Sequence, residues 1–179
     1  VIARHIHSVA YNPAENAFYA CTGDHDNGAK RECHWLRGVY DQKGDTWSWK
    51  VLVSSTSNSR YKSGGIHFVD GKLYWASDAN VGKAPFDRGI FRCAPEDIAD
   101  KSKHTRLYDS KYELAVMTIH EDVIVAPEYG GANPRLLFNY RTDETRIWDD
   151  NRLREAYGYR TSYPANEKDG IVLEWSPEQ

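Results

Sequence analysis

Internal repetition restricts the folding of this chain more tightly than anything else in it. The first repeat runs from His7-Ser8-Val9-Ala10-Tyr11, through Asn12-Pro13-Ala14-Glu15-Asn16, to Ala17-Phe18-Tyr19-Ala20-Cys21. The second runs from Gly65-Ile66-His67-Phe68-Val69, through Asp70-Gly71, to Lys72-Leu73-Tyr74-Trp75-Ala76. The third runs from Ala115-Val116-Met117-Thr118-Ile119, through His120-Glu121-Asp122, to Val123-Ile124-Val125-Ala126. Each is a pair of short β-rich runs about a tight turn, which reads as a hairpin. Asp70-Gly71 is the sharpest signal, because a two-residue hairpin turn needs positive φ at both positions. A polar loop with glycine follows each hairpin, at 22–31, 77–88 and 128–134. A third strand then follows at 35–40, 89–93 and 135–140. A fourth is clear at 46–53 and weaker at 105–108 and 145–148.

Tyr19 and Tyr74 stand 55 positions apart, and Tyr74 and Ile124 stand 50 apart. Four strands per unit at this period are the pattern of a β-propeller blade. The expected fold is therefore all-β, a propeller of four-stranded antiparallel blades with about three present. Their approximate bounds are 5–57, 58–111 and 112–150, and 151–179 starts a further blade or closes the array. Closed propellers typically have about 4–8 blades, so the chain reads as part of a six- or seven-bladed ring. A homodimer or a partner chain would complete it. Helical turns are expected only at Pro95–Asp100, with Pro in first position, and at 151–155. Trp35, Trp47, Trp49 and Trp75 are expected in the core between blades.

Composition removes several function classes. The 23 basic and 26 acidic side chains leave a net charge of −3, which excludes nucleic-acid binding by bulk positive charge. No apolar run approaches the roughly 20 residues of a membrane span. Arg141, Arg146, Arg152, Arg154 and Arg160 alternate with Asp143, Glu144, Asp149, Asp150 and Glu155, as on a solvated surface. Cys21, Cys33 and Cys93 show no CxxC spacing, so a disulfide framework is not expected beyond one bridge and a free thiol. Cys33-His34 offers two metal ligands, whereas a structural zinc site normally needs four. The start at Val1-Ile2-Ala3, without Met, is that of a mature or trimmed product.

In a propeller the innermost strand of each blade starts on one face of the disc, and the loop after the second strand returns to it. Ligand-binding groups gather there, on loops carried by a rigid scaffold. In the first unit that face carries Arg4, His5, His7, Asp24, His25 and Asp26. The second supplies Arg60, Tyr61, Lys62, Ser77, Asp78 and Asn80, and the third Tyr112, Glu113, Glu128 and Tyr129. Such cations, carboxylates and phenols suit an acidic polysaccharide. His5 and His7, two apart on a strand, share one side and are the expected base or metal ligands. Asp24-His25-Asp26 offers oxygen and nitrogen to a cation or simply makes a turn. The glycines of Glu128-Tyr129-Gly130-Gly131 allow close backbone approach to a ligand. The expected catalytic set is His5, His7 and Tyr129. The expected substrate-binding set is Arg4, Asp24, His25, Arg60, Tyr61, Lys62, Asp78 and Glu128. No metal ligand set is assigned; a divalent metal is compatible with the sequence but not required by it.

Tyr40-Asp41-Gln42-Lys43-Gly44-Asp45-Thr46-Trp47 resembles the Asp-box of sialidase-like propellers, with one extra residue between Asp41 and Gly44. His5 to Pro13, followed by Thr22-Gly23-Asp24, resembles a blade of bacterial sialidase-like propeller proteins. Trp148-Asp149 is similar to the dipeptide of WD-repeat propellers, a competing likeness. The first resemblance, which covers mostly the first 80 residues, implies a protein associated with polysaccharides, extracellular or periplasmic. Some of its relatives are polysaccharide lyases that use His and Tyr with an Arg. It thus implies a lyase or hydrolase in which Tyr129 or a His takes the proton beside a uronate carboxylate. A non-catalytic glycan-binding module and a structural interaction module are the alternatives.

Overall fold

The computed structural model describes residues 5–24, 26, 30–79, 87–114, 116–129, 135–142 and 144–148. Val1–Trp148 form one compact unit, and residues 149–179 lie wholly outside the described residues. The expected helical turn at 151–155 and the further blade or closing segment at 151–179 fall there.

Three antiparallel sheets follow one another along the chain. The first holds β1 (His5–Asn12), β2 (Ala17–Gly23), β3 (Cys33–Asp41) and β4 (Thr46–Ser55), paired in sequence order. The second repeats that order with β5 (Ser63–Val69), β6 (Lys72–Ser77), β7 (Gly89–Cys93) and β8 (Thr105–Asp109). The third holds β10 (Thr118–His120), β11 (Val123–Tyr129), β12 (Arg135–Asn139) and β13 (Glu144–Trp148). There β9 (Glu113–Leu114) also pairs with β11. The all-β, four-stranded antiparallel expectation therefore holds, while the described residues close into neither a barrel nor a ring. Among them the helical structure is two short 3-10 turns, Pro95–Asp97 and Lys101–Lys103.

The turns form where left-handed backbone is cheapest. Asp70 (φ 49°) and Gly71 (φ 70°) make the tight β5–β6 connection, and Asn16, Asp45 and Glu121 take similar angles at the other hairpins. In the β3–β4 turn the Asp41 carboxylate accepts from Lys43 N at 3.0 Å. A Cβ on Gly44 would stand 2.9 Å from Asp41 Oδ2, so only glycine lets the carboxylate fold over it.

Alternation along β6 shows how the sheets stack. Leu73 and Trp75 join Tyr19, Trp35, Cys21 and Phe91 in a core between the first and second sheets. Tyr74 and Ala76 face the other way, into a core with Leu114, Met117, Ile124 and Ala126 of the third. A strand buried on both faces reads as a continuous apolar run, which is why Leu73 to Ala76 lacks a polar position. Trp35 meets Trp75 edge-on, ring centroids 5.7 Å apart. Both indole N–H groups are satisfied by the segment joining the sheets: Trp35 Nε1 donates to Tyr61 O (2.6 Å) and Trp75 Nε1 to Arg60 O (2.9 Å).

Trp47 and Trp49 correct the sequence reading. They are 45% and 49% exposed, on the outermost strand of the first sheet. Among the described residues no second sheet covers their face. They pack instead on each other and, through Trp47, on Phe18 and Tyr40. Three cysteines, all buried, are free thiols.

Candidate functional site

One end of the first two sheets gathers five ionisable side chains from four separate segments. His5 and His7 come from the start of β1, Asp24 from the residue after β2, Lys62 from just before β5, and Asp78 from just after β6. Lys62 Nζ pairs with Asp78 Oδ2 at 3.1 Å. The same oxygen lies 3.7 Å from His7 Nδ1. His5 Nδ1 lies 3.5 Å from Asp24 Oδ2, and the two imidazole centroids are 6.3 Å apart. Exposure is graded across the cluster: the Lys62 side chain is 6% exposed, His7 14%, and His5 59%. The Lys62–Asp78 pair forms a floor, with His7 above it and His5 at the mouth.

Local backbone explains this convergence. Lys62 and Asp78 sit across the open end of the β5–β6 hairpin, where Asp78 N donates to Lys62 O at 2.7 Å. His7 is the extra residue of a β-bulge, between the Ile6–Thr22 and Ser8–Cys21 pairs. Bulges re-aim side chains, and this one accompanies the turning of His7 toward the second sheet. The second sheet carries the matching irregularity between Ser63 and Gly65. Gly23, opposite His5, borders the cluster: a Cβ there would lie at ordinary contact distance, 3.4 Å from Lys62 Cγ and 3.9 Å from His7 Nε2. Asp24 then takes φ 145°, a region that residues other than glycine rarely adopt.

Burial holds the His7 pKa below the usual imidazole value. Asp78 and Asp24 pull it up, while the Lys62 charge and His5 push it down. The net direction favours neutral imidazole near pH 7, with one nitrogen able to accept a proton or bind a cation.

The remaining expected site residues divide clearly. The Arg60 guanidinium is held by Asp87 (Nε–Oδ1 2.8 Å) and lies over the Phe91 ring, 4.7 Å from its centroid. Tyr61 is buried in the core between the first two sheets, and burial pushes its phenol up to about 12. Neither joins the His5–Asp78 cluster. Asp26 accepts from Ser57 N and Oγ, at 3.1 Å each to Oδ2, and so anchors the link between the sheets. Glu128 and Tyr129 end β11, their backbones paired with Leu114 and Glu113. Their side chains, Arg4, His25 and Asn80 lie outside the described residues. The Lys62–Asp78 ion pair was not foreseen, although the repeat placed both residues on the right face. The bulge at His7 and the φ of Asp24 have no signal in the sequence.

Neither a scan against protein-family models nor a search of curated proteins finds a match to this chain. The cluster offers imidazole and carboxylate groups as hydrogen-bond partners, one cation held by a carboxylate, and a neutral imidazole suited to proton transfer.

Proposed function

We propose that the three sheets are consecutive blades of a sialidase-like β-propeller that binds, and acts on, an extracellular polysaccharide at the His5–His7–Asp24–Lys62–Asp78 cluster. The carrying observation is the meeting of those five groups from four segments at one end of two successive sheets. Two further features support the propeller reading. The inner strands β1, β5 and β10 neighbour one another across successive sheets, and the first sheet leaves an aromatic face of the kind an adjoining blade covers.

On a uronate polymer the fitting reaction is β-elimination. A base takes the C5 proton, its electron pair forms the C4–C5 double bond, and the C4–O bond breaks with a proton delivered to the leaving oxygen. His7 suits the base. Lys62, already engaged by Asp78, would have to turn toward the uronate carboxylate. A panel of uronate-containing and neutral polysaccharides tests the proposal through affinity electrophoresis, with ultraviolet absorbance reporting the new double bond. Retention on at least one polymer, lost in His5→Ala and His7→Ala, is expected. No retention on any polymer, or retention unchanged in both variants, overturns it. Retention without absorbance restricts the role to binding.

A further inference from the structure

We propose that His5, His7 and Asp24 form a binding site for a divalent transition-metal cation such as zinc. One ligand atom from each residue lies within 4.8 Å of the others. Around a tetrahedral ion with bonds of about 2.0–2.1 Å, ligand atoms stand about 3.3–3.4 Å apart. Closing the widest gap in the set thus needs a shift of up to about 1.4 Å. The exposed His5 ring can supply it by side-chain rotation, since its Nδ1 already lies 3.5 Å from Asp24 Oδ2.

The donor set selects the ion. Two imidazoles and a carboxylate suit zinc, iron, cobalt or nickel, whereas calcium and magnesium prefer oxygen throughout. Three protein ligands leave at least one coordination position for water or a substrate oxygen, the arrangement of catalytic rather than structural zinc.

The surroundings fit as well. His7 Nδ1 faces Asp78 Oδ2, leaving Nε2 as the ligand atom, and Lys62 holds that carboxylate in place. Moved a few tenths of an ångström closer to hydrogen-bond distance, that carboxylate would fix the tautomer of the ligating imidazole and raise its basicity. Two carboxylates, Asp24 and Asp78, face the single Lys62 ammonium in the cluster. The φ of 145° at Asp24 is the strained backbone found at ligand clamps, and here it sits on a ligand residue.

This inference uses the same cluster as the polysaccharide proposal but does not depend on it; the base role of His7 belongs to the metal-free chain, because a metal-bound imidazole has no free nitrogen to take a proton. The test is titration of the full chain with zinc alone by calorimetry, with cobalt substitution giving a visible ligand-field spectrum. One equivalent is expected to bind, with binding lost in His5→Ala, His7→Ala and Asp24→Asn. Asp78→Asn is expected to weaken it about 10–100-fold, and His67→Gln, away from the cluster, to leave it unchanged. His5→Ala alters an exposed side chain, so its loss of binding is separable from unfolding, checked by circular dichroism. Substoichiometric binding, or one-to-one binding that survives His5→Ala and Asp24→Asn, overturns the proposal. Repeating polysaccharide retention in excess chelator separates the two readings. A chain that binds zinc and no polymer refutes only the glycan reading, and one that binds polymer and no zinc refutes only this one.

Discussion

Gly65→Ala tests the stacking of the second and third sheets with a single methyl group. Gly65 lies in β5 beside the bulge, and its φ is not among the positive ones, so alanine suits its backbone. What opposes the methyl is Met117: the new Cβ would stand 2.8 Å from its carbonyl oxygen and 3.0 Å from its Cβ and N. Ordinary contact begins near 3.5 Å, so about 0.5–0.7 Å must be opened between two backbones. Overpacking of this kind costs about 1–3 kcal/mol. The stiffer unfolded chain returns about 0.4–1 kcal/mol, leaving a net loss of about 1.3 kcal/mol at the midpoints of the two ranges. At roughly 2–4 °C per kcal/mol for a unit of this size, the thermal midpoint falls by about 3–5 °C. The assay is tryptophan fluorescence during thermal and urea unfolding. Gly71→Asn is the control, since Gly71 faces open space and Asn tolerates its φ of 70°. Met117→Ala added to Gly65→Ala should not restore stability, because the nearest atom is a carbonyl oxygen that the second substitution leaves behind. A Gly65→Ala midpoint equal to or above that of the unaltered chain would refute the close approach of β5 to Met117.

Acid should expose the role of Asp87. Burial acts to raise its pKa, but bonds from Arg60 N, Lys101 Nζ and the Arg60 guanidinium outweigh that and hold it below the ordinary value. A carboxyl lowered on folding stabilises fully above its unfolded pKa of about 3.9 and loses that contribution as pH falls through the folded value. Asp87→Asn should therefore be less stable than the unaltered chain at neutral pH, with the gap in urea midpoint narrowing toward pH 2 or so. A gap independent of pH would refute the linkage. The tryptophans should separate by sheet face: Trp75→Ala should cost about 3–5 kcal/mol and Trp47→Ala about 1 kcal/mol or less, both read from urea unfolding. Comparable costs would show that the outer face of the first sheet is covered in solution.

The strands were legible because the turns between them carry their own chemistry. Asp70-Gly71 can take two positive φ angles in succession at low cost, and that fixes the β5–β6 register from two letters. Burial was less legible. The alternation Trp47-Ser48-Trp49-Lys50-Val51 tells which side of β4 is apolar but not whether another layer lies on it. The same limit explains Arg60. As a cation near a loop it reads like a ligand-binding group, because its partner Asp87 is 27 residues away and meets it only once the second sheet is built. His5 and His7 were grouped on the assumption of regular two-residue alternation. The strand is bulged at His7, and the two rings come to one end through that irregularity together with the pull of the second sheet's carboxylate.

Superposing the registers of the first two sheets shows why the cluster stands where it does. The bulges at His7 and Gly64 coincide, which aligns His5 with Lys62, Ile6 with Ser63, and Gly23 with Asp78. One backbone position thus carries an imidazole in one sheet and an ammonium in the next. Its partner across the hairpin is a glycine in the first sheet and a carboxylate in the second. The exchange is complementary: Gly23 adds no charge beside Lys62 and His7, and the carboxylate at Asp78 pairs with Lys62 and faces His7. Repetition supplies the same ladder twice, so its two open ends need not repeat the same chemistry. Replacing Gly23 with Asp, which would make the two sheets alike at this position, should crowd His7 and set a second carboxylate beside Asp24. The cluster depends on the difference between the repeats as much as on their likeness.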